Sequence, residues 1–259
     1  MPPAVLDRAF FRDLFRQVEE VGQHLIEHPK TGMLMVLVPA GKFLTDTDRH
    51  APYEVDLPAF YVAVHPVTNA LYARFVAETG HHKPETADWN APVWTNGTFP
   101  PGKADHPVVC VSREDATAYC QWAGLRLPTD WEWEKAARGL DGRAYPWGNE
   151  WDANRCRNFS TRGAEGPANI WCYGQGGAPF GGLQLSGNVW EWCKSSLCGG
   201  GWTGMELKPR EYSIQTGWAR VADVNHRHYS ASFRRILDTS KLLTPLYGFR
   251  CVHGLDASL

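Results

Sequence analysis

The sequence predicts an α+β domain with little regular secondary structure and long irregular loops, and three observations predict it. The 259-residue chain carries 12 Trp, 25 Gly and 18 Pro while only 43% of it is hydrophobic, so its core must be built from bulky aromatics joined by many tight turns. Helix start and stop signals occur at three short segments in the first 140 residues. Short apolar runs bounded by Gly and Pro read as strands, whereas the second half shows no convincing helix.

Leu6, Phe10, Leu14, Val18, Val21 and Leu25 recur at spacings of three and four, which predicts an amphipathic helix over residues 4–29. Pro29 disfavours helical geometry at His28, and Gly32 permits a turn, so 28–32 reads as a linker. The organisation expected is therefore an N-terminal helix and linker over 1–32 and a domain over 33–259. The run Met33-Leu34-Met35-Val36-Leu37-Val38 reads as a buried strand, Lys42-Phe43-Leu44 as a second, and Tyr53 to Val64 as a third.

Thr68 offers an N-cap to a helix that turns Leu71, Tyr72, Phe75 and Val76 inward and ends at Gly80. Ser112-Arg113-Glu114-Asp115 is a near capping box opening a helix that buries Ala116, Tyr119, Cys120 and Ala123 before Gly124. Thr129-Asp130-Trp131-Glu132 is a full capping box for a helix through Arg138, with Lys135 and Arg138 suited to the negative end of its dipole. Further short strands are expected near 217–221 and 248–253.

The formal charge of -2 and a pI near 6.5 give no basic footprint for nucleic acid or anionic membrane. The chain lacks an apolar run of the 18 or so residues that span a bilayer, and Met1 to Arg8 lack a signal-peptide layout, so a cytoplasmic location is expected, with secretion left open. Seven cysteines without CxxC spacing fit buried reduced thiols better than a disulfide framework.

Several segments, taken together, resemble the formylglycine-generating-enzyme (sulfatase-modifying factor) family. They include Pro39-Ala40-Gly41-Lys42-Phe43, Val67-Thr68-Asn69-Ala70, His106-Pro107-Val108 and Asp115-Ala116 with Tyr119-Cys120. The order continues through Arg126-Leu127-Pro128-Thr129, Pro146-Trp147-Gly148-Asn149, Gly187-Asn188-Val189-Trp190-Glu191-Trp192 and Gly248-Phe249-Arg250-Cys251-Val252. The resemblance implies a C-type-lectin-like core with long irregular loops. It does not imply one activity, because relatives include copper-dependent oxidases, a domain of sulfoxide synthases, and variable ligand-binding proteins of diversity-generating retroelements.

The oxidases use two cysteines with four residues between them, upstream of the final Gly-Phe-Arg, as soft ligands for copper(I). The matching positions here are Ala222 and Arg227, and no cysteine lies between Cys198 and Cys251, so copper and oxidase chemistry are not expected. Cys193 and Cys198 have the right gap in the wrong place and read as structural thiols. His24 and His28, four apart on the expected helix, read as solvent-facing rather than metal-binding, as do His226 and His228. The resemblance also implies a calcium site in which Gly187, Val189 and Glu191 match the ligand positions, with Gln184 where the family usually has Asn or Asp.

Residues 219–250 match the stretch that the retroelement relatives rewrite at adenines, mostly in Asn-type codons that cannot yield Trp, Met, Gln, Lys or Glu. Between Ala219 and Tyr247 only Lys241 belongs to those five types. The segment has no clean period, and its His, Tyr, Asn, Asp, Ser and Phe are residue types that recognition surfaces use. The ligand-binding set expected is Asp223, Asn225, His226, His228, Tyr229, Phe233, Leu237, Asp238, Leu242, Leu243 and Tyr247. The expected partner is a protein or other macromolecule, not nucleic acid, with the N-terminal helix able to mediate association. An ordinary family loop packed on the core, or a divergent oxidase or sulfoxide-synthase-like domain, is the alternative.

Overall fold

A computed structural model describes residues 25–47, 50–84, 93–158, 160–161, 166–202 and 245–255. Among these, strands β1 (Leu25–Glu27), β2 (Leu34–Val38), β5 (Phe60–Ala63) and β9 (Val252–Gly254) form an antiparallel sheet in the order β1-β2-β5-β9. A separate hairpin pairs β3 (Gly41–Thr47) with β4 (His50–Leu57). The third sheet has the order β7-β6-β8, with β6 (Trp190–Trp192) antiparallel to β7 (Leu197–Cys198) and parallel to β8 (Tyr247–Phe249). First and last strands of the described chain thus lie in one sheet.

The three expected helices are present: α1 (Asn69–Thr79), α2 (Arg113–Ala123) and α3 (Asp130–Arg138). Thr68 accepts from the Leu71 amide, both capping boxes close, and Gly80 and Gly124 adopt the left-handed conformation that ends a helix without a Cβ clash. The inner faces of α1 and α2 meet in an aromatic cluster in which Tyr72 stacks on Tyr119 at 6.0 Å and Phe249 packs edge-on to Tyr119 at 5.3 Å. The aromatic core follows from the composition: few long elements, so large rings fill the space between short ones.

Three expectations about these elements are corrected. The helix over 4–29 does not run through Leu25–Glu27, which is a strand paired with Leu34–Val36; the rest of that segment lies outside the described residues. A continuous apolar strand such as β2 presents open hydrogen-bonding groups along its edge, and pairing satisfies them. The 28–32 linker is the turn of that hairpin, closed by the bond from the Gly32 amide to the His28 carbonyl at 2.7 Å. The strand expected from Tyr53 to Val64 is two strands in two different sheets, divided at Pro58-Ala59, where proline removes a ladder donor.

Lys135 and Arg138 lie in the last turn of α3, as the dipole reading places them, and both are buried. Lys135 donates to the carbonyls of Pro39 and Gly41, both at 2.7 Å, tying α3 to the start of β3. Arg138 pairs with Glu134, which in turn accepts from the Thr45 hydroxyl.

Candidate functional site

The Gly187–Trp192 segment is the hub on which the third sheet and the loops around it converge. Gly187 and Asn188 both adopt positive φ, 75° and 64°. A Cβ at Gly187 would strike the Arg157 carbonyl, so only glycine fits there. Buried Asn188 accepts from the Ala168 amide through Oδ1 at 2.8 Å and donates its own amide to Arg157 O at 2.8 Å, while its carbonyl accepts from the Trp202 amide at 2.8 Å. One side chain and its two peptide groups therefore hold three separate loops.

Next on this hub, Glu191 is fully buried and takes a charge-assisted fork from Arg250, Nε to Oε2 at 2.5 Å and Nη2 to Oε1 at 2.7 Å. The Trp133 indole N–H adds a bond to Oε2 at 2.7 Å. Arg250 spends its remaining three donors on the carbonyls of Ala63, Val64 and Leu183, at 3.0, 3.3 and 2.8 Å. Gly248 packs close enough that a Cβ would meet Val108 O at 2.8 Å, which explains glycine before Phe249-Arg250.

The flanks of residues 203–244 meet on this hub. Trp202 donates its indole N–H to the Pro245 carbonyl at 3.2 Å, and the Trp190 amide donates to Leu246 O at 2.8 Å. Gly201 lies against the Trp190 ring, where a Cβ would come within 3.0 Å. The segment that starts after Trp202 therefore returns beside the point at which it left. Asp223, Asn225, His226, His228, Tyr229, Phe233, Leu237, Asp238, Leu242 and Leu243 lie outside the described residues, as do Ala222 and Arg227. Tyr247, the last of the expected set, is half-buried in β8 with its ring edge-on to Trp192 at 5.3 Å.

For the implied calcium, Glu191 is the buried hydrogen-bonding acid just described, and three of its roughly four lone-pair positions are filled. Gln184 is buried with φ 61°; its Nε2 donates to Cys172 O at 2.5 Å, and its Oε1 has no hydrogen-bond partner among the described residues. This orphaned buried amide oxygen, three residues before Gly187 in the chain, is the donor type that a hard cation takes.

All seven cysteines are buried free thiols. The Sγ atoms of Cys193, just after β6, and Cys198, at the end of β7, lie 3.3 Å apart, and burial pushes both thiols up from the ordinary range, away from the reactive thiolate. His28 is not solvent-facing: it is buried and bonded to the Thr31 hydroxyl at 2.9 Å. His24, His226 and His228 lie outside the described residues. The roles of Asn188, Trp202 and Arg250 were missed in the sequence, although glycine clusters at Gly187 and at 199–201 are the local signal of close backbone approach there.

A family model for the sulfatase-modifying factor enzyme 1-like domain matches residues 23–255. The "Inactive C-alpha-formylglycine-generating enzyme 2" of Mus musculus is 31% identical over 84% of this chain and 84% of its own length. The "Formylglycine-generating enzyme" of Thermomonospora curvata is 34% identical over 83% of this chain and 76% of its own. Among solved structures, Treponema denticola variable protein 1 superposes with a TM-score of 0.60 at 18% identity, covering 89% of this chain and 98% of that one. PvdO from Pseudomonas aeruginosa gives 0.57 at 20% identity, covering 90% and 98%. The structural likenesses show the fold alone; the family model over residues 23–255 and the curated relatives above 30% identity show that this chain belongs to the sulfatase-modifying factor enzyme 1-like domain family.

Proposed function

We propose that this chain is a non-catalytic ligand-binding protein of the retroelement variable-protein type, whose variable region 219–250 presents a recognition surface ahead of its buried end at Gly248-Phe249-Arg250. The observation that carries the reading is the closure at Trp202 and Pro245, where both flanks of 203–244 are fixed to the hub. A long segment held at both ends by a rigid scaffold can change its sequence without changing the core, which is what a binding loop needs. Among the relatives, one that shares this fold carries the name variable protein, and one of similar coverage carries the name inactive enzyme. Sequencing the DNA beside the gene tests the proposal. A reverse transcriptase and a near-copy of the 219–250 coding segment, differing at adenines, are expected; their absence would count against it.

The partner in this reading is a protein or other macromolecule that meets Asp223, Asn225, His226, His228 and Tyr229 together with the neighbouring apolar residues. Calcium in this reading is held by Gln184 Oε1, the carbonyls of Gly187 and Val189, and the open lone pair on Glu191 Oε1. It supplies charge that pins the turn into β6.

The 34% identity to a formylglycine-generating enzyme favours a second reading, a divergent oxidase. With no cysteine between Cys198 and Cys251, a cysteine-containing peptide incubated with the protein should gain no formylglycine by mass spectrometry, whereas conversion would reverse the order of the two readings.

A further inference from the structure

Outside the hub, three chemistry-bearing side chains converge between α1 and α2. His81 and His82 follow Gly80, the left-handed residue that ends α1, and Asp115 is in the first turn of α2. His81 Nε2 lies 2.8 Å from Asp115 Oδ1, and His82 Nε2 lies 2.9 Å from the same oxygen. The two imidazoles stack at 4.4 Å, and all three ligand atoms fall within 4.8 Å of one another.

Asp115 and His81 are each held from behind. The Asp115 Oδ2 atom is fixed by the amide and the hydroxyl of Ser112, both at 2.8 Å, which leaves Oδ1 to the histidines. The His81 ring rests against Phe75 at 4.9 Å and its amide donates to the Thr79 hydroxyl at 3.2 Å. Exposure grades outward across the cluster: the Asp115 side chain is 4% exposed, His81 24% and His82 65%. A carboxylate anchored at the bottom and two imidazoles opening to solvent leave coordination positions for water or a further ligand.

We propose that His81, His82 and Asp115 form a binding site for a divalent transition cation of the zinc class, clamping the end of α1 to the start of α2. Neutral imidazole nitrogens and one carboxylate oxygen are the donor set such ions take, whereas magnesium and calcium prefer oxygen alone. In the metal-free protein each Nε2 faces Oδ1 as a donor, and for the ion to take Nε2 the neutral imidazole carries its one proton on Nδ1 instead.

The test uses the full chain with zinc(II) in calorimetry and cobalt(II) in absorption spectroscopy. His82→Gln and the double variant His81→Gln/His82→Gln are compared with the parent protein, and Cys193→Ser controls for the other group of convergent ligands, Asp130, Cys193 and Cys198. Expected are one zinc bound by the parent, an affinity about ten-fold or more weaker in His82→Gln, and loss of the site in the double variant. The cobalt spectrum should lack the thiolate charge-transfer band and be unchanged by Cys193→Ser. Unfolding in chelator should match the parent for His82→Gln, which separates lost ligation from lost folding. Zinc binding of equal strength in parent and double variant, no zinc binding by the parent, or a cobalt band that disappears with Cys193→Ser would each overturn the proposal.

Discussion

Arg250 and Glu191 form a two-bond ion pair with neither side chain exposed, Nε to Oε2 at 2.5 Å and Nη2 to Oε1 at 2.7 Å, joining the last sheet crossing to the middle of β6. The pair also bridges the first sheet, because Arg250 donates to Ala63 O. Removing one partner leaves a buried charge uncompensated, so Arg250→Met should destabilise the fold by about 3–5 kcal/mol in urea unfolding. The double variant Arg250→Met/Glu191→Leu should lose less than the sum of the two single changes, since no lone charge remains. Strict additivity would show that the pair is not an energetic unit.

Phe249 lies fully buried beside Arg250, in the aromatic cluster with Tyr72 and Tyr119, so Phe249→Ala should cost about 3–5 kcal/mol. Trp190 is only half-buried, so truncating it should cost less than truncating Phe249, although both positions belong to equally recognisable motifs. Equal losses in thermal unfolding would contradict the different burial.

Much of this was legible in the sequence because it is local. Capping boxes at Ser112 and Thr129 need only four neighbouring residues, and both helices begin where those residues place them. The strand at Leu25–Glu27 was hidden because three residues are too few to tell a period of two from one of 3.6. The last-turn placement of Lys135 and Arg138 was legible, but nothing near Lys135 in the sequence reveals that the carbonyls of Pro39 and Gly41 bury it. The hub itself depends on contacts across distant positions, such as Trp133 to Glu191, which no window of the sequence contains.

His28 carries a pH dependence. Burial first, then the neighbouring His253 and Lys30, hold its imidazole below the ordinary histidine range. A depressed folded value favours the neutral ring, so the contribution to stability is full above the unfolded value of about 6.5 and is lost as pH falls through the folded value. His28→Gln should therefore flatten the decline of unfolding free energy on going below about pH 6.5. An unchanged slope would assign that decline to other groups.

Calcium should raise the unfolding midpoint of protein first treated with chelator, and Gln184→Leu should remove the rise. At a hundred-fold excess over the dissociation constant, linkage gives about 2.7 kcal/mol. Identical midpoints in calcium and in chelator would rule out the site at Gln184, Gly187, Val189 and Glu191.

The claim that recognition residues sit apart from the fold is tested most directly by the melting temperature of the triple variant His228→Ser/Tyr229→Ser/Leu242→Ser. Side chains projecting from a segment closed off at Trp202 and Pro245 should cost no more than about 0.5 kcal/mol each, leaving a transition close to that of the parent. A loss of several kcal/mol, the cost of removing a buried Leu and Tyr together, would mean that this segment is part of the core and would contradict the account.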